Sequence, residues 1–63
     1  MELREARKKA HMTQQEVADY MGISRVTYGK FEANSDIVSV EDAKKLSKLF
    51  KVDVSEIFFG SKL

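Results

Sequence analysis

The 63-residue sequence has no cysteine, no proline and no tryptophan, and only one histidine. Without cysteine there are no disulfides, no thiolate metal sites and no cysteine nucleophile. A lone histidine cannot supply the imidazole cluster of a metal centre. The longest apolar run, Ile57-Phe58-Phe59, is far too short to span a bilayer. The opening Met1-Glu2-Leu3-Arg4 lacks the hydrophobic stretch of a secretory signal. No nucleophile–base pair and no glycine-rich phosphate loop is present. These absences point to a soluble, cytoplasmic protein that is not an enzyme and uses no metal, no small-molecule cofactor and no membrane partner. The length fits one domain over residues 1–63.

What is present is a globular balance, 43% hydrophobic and 33% charged, with a formal net charge of +1. Residues 1–31 carry six bases against four acids, and residues 32–63 five against six. That mild basic skew is compatible with a polyanionic partner and equally with a solvated face. Apolar residues recur at helical spacing. Leu3, Ala6 and Ala10 share a stripe with Arg7, which predicts a first helix over 2–10. Thr13-Gln14-Gln15-Glu16 has the spacing of a capping box and opens a second helix with Val17, Ala18 and Met21 on its inner face. Gly22 ends it, because glycine enters the left-handed region without a steric penalty. Ser24 is a good N-cap for a third helix over 25–33. Asn34 fits a left-handed C-cap, and 34–38 reads as a loop. Ser39 opens a fourth helix whose buried side is Val40, Ala43, Leu46, Ser47 and Phe50. Asp53-Val54-Ser55-Glu56 resembles another capping box, opening a short fifth helix. Tyr20 reads as a half-buried prop.

Over 14–33, two helices of about eight residues meet at the three-residue turn Gly22-Ile23-Ser24, which forces a steep crossing and suggests a helix-turn-helix. With the turn glycine at Gly22, that motif's structural positions fall on Val17, Ala18, Met21, Gly22, Ile23, Tyr28 and Phe31, and all seven fit. Residues 3–60 resemble the five-helix DNA-binding domain of lambdoid phage repressors and Cro-like regulators, the XRE-type helix-turn-helix family. The resemblance is carried by Leu3 and Arg7, Thr13 to Ala18, Gly22 to Arg25, Phe31-Glu32, and Leu46, Val52 and Ile57-Phe58. It implies a compact all-α, five-helix, lambda-repressor-like fold. Ala6 departs from a usual leucine and Val38 from a common proline. His11, Asn34 and Lys51 replace turn glycines, and Gly29 lies inside the third helix, where glycine costs ~1 kcal/mol relative to alanine.

On the helical wheel Arg25, Val26, Gly29 and Lys30 share an outward arc of about 140°, with Thr27 at its edge. A bare glycine between two cations lets such a face approach a major groove closely. Arg25 is placed for a bidentate contact with guanine, Val26 for a thymine methyl, and Lys30 for guanine or phosphate. The resemblance implies phosphate contacts by Thr13, Gln14 and Ser24, with backbone donors from Asn34 and Ser35. On this reading Arg25→Ala loses about 1–3 kcal/mol at one base position, whereas Gln14→Ala weakens all duplexes alike. Arg7 lies on an apolar stripe, and the family's partner position is Glu32, so a partly buried structural Arg7–Glu32 pair is expected.

The apolar cluster Ile57, Phe58, Phe59 and Leu63 suggests a dimer contact, because adjacent side chains on a helix point about 100° apart and both phenylalanines cannot be buried in one small domain. The expected function is a sequence-specific transcriptional regulator binding double-stranded DNA as a homodimer, a repressor on an inverted-repeat operator, encoded by a bacterium or phage. Two alternatives remain open. One is an antitoxin-like module whose apolar patch binds a different protein; the other is an N-terminal DNA-binding fragment of a longer regulator.

Overall fold

Each of the longer helices begins at a side chain able to accept a backbone N–H. The computed structural model describes residues 1–59, with the backbone alone at Phe59. Its α-helices are α1 (Leu3–Lys9), α2 (Gln14–Met21), α3 (Arg25–Ala33) and α4 (Val40–Phe50). A 3-10 turn (Ser35–Ile37) precedes α4, and a π-helical turn (Ser55–Phe59) follows it. Among the described residues there is no strand, so the architecture is the all-α one expected.

The caps explain most boundaries. Before α2, Thr13 Oγ1 accepts the Glu16 N–H at 3.1 Å, and the Glu16 carboxylate accepts the Thr13 N–H at 2.8 Å. Both donors of a complete capping box are thereby satisfied. Ser24 and Ser39 cap α3 and α4 by accepting the N–H groups of Thr27 and Asp42, each at 3.1 Å. Gly22 ends α2 at φ 73°, and the Ile23 N–H reaches back to the Ala18 carbonyl at 3.0 Å. His11 and Lys51 also sit at φ 58°, a left-handed conformation taken without the freedom of glycine.

Three expectations are corrected. Asn34 is extended at φ −147°, not left-handed, because its side chain is used locally: Oδ1 accepts the Asp36 N–H at 3.2 Å and starts the 3-10 turn. Val40 is 65% exposed, since it occupies the first position of α4, ahead of the turn that meets the core. Tyr20 is 57% exposed instead of half-buried. The expected fifth helix is present as a π-helical turn: the Glu56 carboxylate accepts the Asp53 N–H at 3.1 Å, one half of a capping box, and Asp53 Oδ1 accepts the Ser55 N–H at 3.0 Å. That backbone bond, with a second from the Ser55 hydroxyl, holds the exposed Asp53 carboxyl below its usual pKa.

The core joins the four α-helices and the π-helical turn. Leu3 and Ala6 from α1, Val17 and Ala18 from α2, Tyr28 and Phe31 from α3, and Leu46 and Phe50 from α4 close on one another with Ile57. Val17 and Ala18 are completely buried, and alanine at position 18 leaves room for the neighbouring helix. The Tyr28 and Phe31 rings meet edge to face, with centroids 6.4 Å apart. Burying Tyr28 and Phe31 fixes the rotation of α3, which turns the opposite side of that helix to solvent.

Candidate nucleic-acid interface

That solvent side carries Arg25, Val26 and Lys30, all exposed, with Gly29 between them. Val26 is 66% exposed, an apolar side chain with no packing duty inside the chain. A β-carbon added at Gly29 would meet nothing within 4 Å, so the molecule's own packing does not require glycine there. An open groove of about 410 Å³ lies beside this helix, lined in part by Arg4, Arg7, Gln14, Gly29 and Glu32.

Thr27 sits at the edge of the face and is half-buried. Ser24 Oγ accepts its N–H and also donates to Thr27 Oγ1 at 2.9 Å. The Ser24 proton is therefore engaged, and the hydroxyl proton of Thr27 is the one left to donate outward. Thr13 and Gln14 stand at the start of α2, as Ser24 and Arg25 stand at the start of α3. The two helix starts touch, with Arg25 Nη1 3.4 Å from Gln14 Oε1. Asn34 and Ser35 lie just beyond the far end of α3, at the 3-10 turn.

Behind this face Arg7 Nε donates to Glu32 Oε2 at 2.6 Å, and Arg7 Nη1 donates to the Met12 carbonyl at 2.8 Å. The side chains of Arg7 and Glu32 are 12% and 7% exposed. Gln14 Nε2 donates to the other carboxylate oxygen, Glu32 Oε1, at 2.9 Å, a bond with no local signal in the sequence. Burial pushes the Glu32 carboxyl up, but hydrogen bonds from Arg7 and Gln14, a lesser contribution from the Tyr28 hydroxyl and the Arg7 charge outweigh it, leaving the pKa below its ordinary 4.5. Burial, reinforced by the Glu32 carboxylate, drives the Tyr28 hydroxyl far above its usual value, so it stays protonated.

The residues expected at a dimer contact divide. Ile57 is 6% exposed and belongs to the core, which corrects its assignment to an intermolecular surface. Phe58 is half-buried against the same core. The Phe59 side chain and Leu63 lie outside the described residues. Ile37 and Val40 are apolar surface, at 52% and 65% exposure, although helical spacing had put Val40 on the buried side of α4. Val40 and Phe58 line one small concavity with Val38 and Ala43.

Among the described residues no group of three or more His, Cys, Asp or Glu gathers as a metal site, and no helix is long and apolar enough to cross a membrane. The helix-turn-helix family matches residues 3–57 of the chain. A curated relative, the HTH-type transcriptional activator BcrR of Enterococcus faecalis, is 30% identical over 61 residues. That alignment covers 97% of this chain and 30% of the relative, so the chain spans under a third of that protein's length. No solved structure gives a significant match.

Proposed function

Because the chain belongs to the helix-turn-helix family, we propose that it is the DNA-binding part of a transcription regulator and reads duplex DNA through α3. The observation that carries this reading is Gly29. A mid-helix glycine costs ~1 kcal/mol of helix stability, and neither φ nor crowding inside the chain calls for it. Close approach of an outside surface does. Arg25, Val26 and Lys30 flank the bare position, with Thr27 at its edge, and these side chains suit guanine, a thymine methyl and phosphate.

The starts of α2 and α3 supply the positioning contacts. Free N–H groups and the positive end of each helix dipole favour a phosphate there, next to Thr13, Gln14 and Ser24. Beyond the end of α3 the Ser35 N–H offers a further backbone contact, whereas the Asn34 N–H, also expected there, is taken by the Lys30 carbonyl at 2.9 Å. Arg7–Glu32 is structural in this scheme and holds α1 against the reading helix.

A homodimer completes the proposal, with Phe58 and the exposed Ile37 and Val40 as its apolar contact. Two-fold pairing would set two copies of α3 about one helical turn, ~34 Å, apart and require an inverted-repeat operator. Repression by occupying such an operator and activation from it share this recognition step. The relative's name, a transcriptional activator, supports regulation without fixing its sign for this chain.

The test is selection from a pool of randomised duplexes at moderate salt. An enriched inverted repeat with half-sites one turn apart is the expected result. Retention without enrichment would leave only attraction to the phosphate backbone. The exposed Ile37 and Val40 would then favour the alternative of a module that docks a different protein.

A further inference from the structure

Four side chains from three helices form one line of hydrogen bonds ending at the reading face. It runs from Arg7 to Glu32 at 2.6 Å, from Gln14 to Glu32 at 2.9 Å, and from Arg25 to Gln14 at 3.4 Å. The order of donors and acceptors along it is forced. An ionised carboxylate only accepts and a guanidinium only donates, while a carboxamide has one end of each kind. Glu32 lies between two donors, so Gln14 must offer it the amide nitrogen. The Gln14 oxygen is then left facing Arg25. Among the described residues Gln14 is the only hydrogen-bond partner of the Arg25 guanidinium.

We infer that Glu32, acting through the Gln14 carboxamide, sets the aim of the Arg25 guanidinium and is thus a positioning residue for base recognition. The inference rests on Arg25 being a base reader, as proposed above. A guanidinium is a rigid planar fork, and a bidentate contact with a base edge needs its plane and direction fixed. Holding one Nη1 hydrogen on Gln14 leaves the other donors of the fork free and restricts where they point. Gln14 keeps a second amide hydrogen for a phosphate, so it serves two purposes. Gln14→Ala is then expected to lose discrimination at the base read by Arg25 as well as overall affinity, which refines the uniform weakening expected from the sequence.

Glu32→Gln tests this with almost no change of shape. The charged Arg7 retains the remaining oxygen at position 32, and the new amide group faces Gln14. Gln14 must turn its oxygen toward that group and its nitrogen toward Arg25. Two donors then oppose each other and Arg25 leaves its position. The double variant Glu32→Gln with Gln14→Glu restores an acceptor at both contacts.

The measurement is binding to the duplex selected by wild-type protein and to its single-base variants, with circular dichroism at the same temperature confirming that each protein is helical. Arg25→Ala first identifies the base position that Arg25 reads. Glu32→Gln is expected to lose roughly tenfold discrimination at that position and to keep discrimination elsewhere. The double variant is expected to regain it even if total affinity stays low. Gln14→Leu leaves the Arg7–Glu32 pair whole and gives the same loss, so the test survives a poorly folding Glu32→Gln. Equal weakening on every duplex, or reduced stability with unchanged discrimination at that position, overturns the inference. Wild-type protein that shows no sequence preference removes the base-reading assignment of Arg25 and this inference with it.

Discussion

A methyl group added at Gly29 has open space around it, so stability and recognition should respond to it with opposite signs. Gly29→Ala is expected to raise stability by about 1 kcal/mol, a rise in Tm of about 5 °C for a domain of this size. The same methyl is expected to weaken binding to the selected duplex. Thermal melts and duplex titrations on one preparation check both; a variant that gains stability and binds unchanged would remove the case for close approach. Glu32 gives a second prediction. Its folded-state pKa lies below its ordinary 4.5, so the unfolded chain binds the proton more readily. The stabilisation is therefore present above pH 4.5 and is lost as pH falls through the lower folded-state value. Glu32→Ala leaves the 12%-exposed Arg7 side chain without its carboxylate and should cost about 3 kcal/mol near neutrality. Urea midpoints measured against pH should show the variant and wild type converging in acid.

Helix ends are where this sequence is easiest to read and also where it misleads. α2 begins and ends, and α3 begins, where the capping residues place them, because Thr13, Gly22 and Ser24 act on backbone groups only a few residues away. Lys51 follows the same local logic from the other side: a residue with a β-carbon is held at φ 58° to close α4. Lys51→Gly should relieve that conformation and stabilise the fold by about 0.5–1 kcal/mol, measurable as a higher urea midpoint with an unchanged slope. Asn34 shows the limit of such reasoning. Its type suits a left-handed cap and a side-chain-capped turn equally well, and only the path into α4 decides between them. Val40 fits the apolar stripe of α4 by spacing, yet burial depends on what stands opposite, and among the described residues it meets only an open concavity shared with Val38, Ala43 and Phe58. The shared exposed side of α3 with Arg25, Val26, Gly29 and Lys30 was legible because one helix wheel contains them all. The bond from Gln14 to Glu32 joins residues 18 apart in the chain, and no periodicity reports it.

For the whole molecule, the apolar surface at Ile37 and Val40 yields a test of assembly. If it forms the two-fold contact, Val40→Glu should leave the monomer folded, because the side chain is already 65% exposed. Sedimentation should then show a monomer, and affinity for a full inverted repeat should fall toward that for a half-site. A variant that still sediments as a dimer would place the contact elsewhere. The side chains behind the exposed side of α3 have a consequence of another kind. Arg7, the Met12 carbonyl, Gln14, Arg25 and Glu32 belong to α1, the turn after it, α2 and α3, whereas α4 is held by its apolar side. The first three helices should therefore open to solvent as one unit. In native-state hydrogen exchange their slow amides should share a single opening free energy, and Glu32→Ala should lower it for all three together.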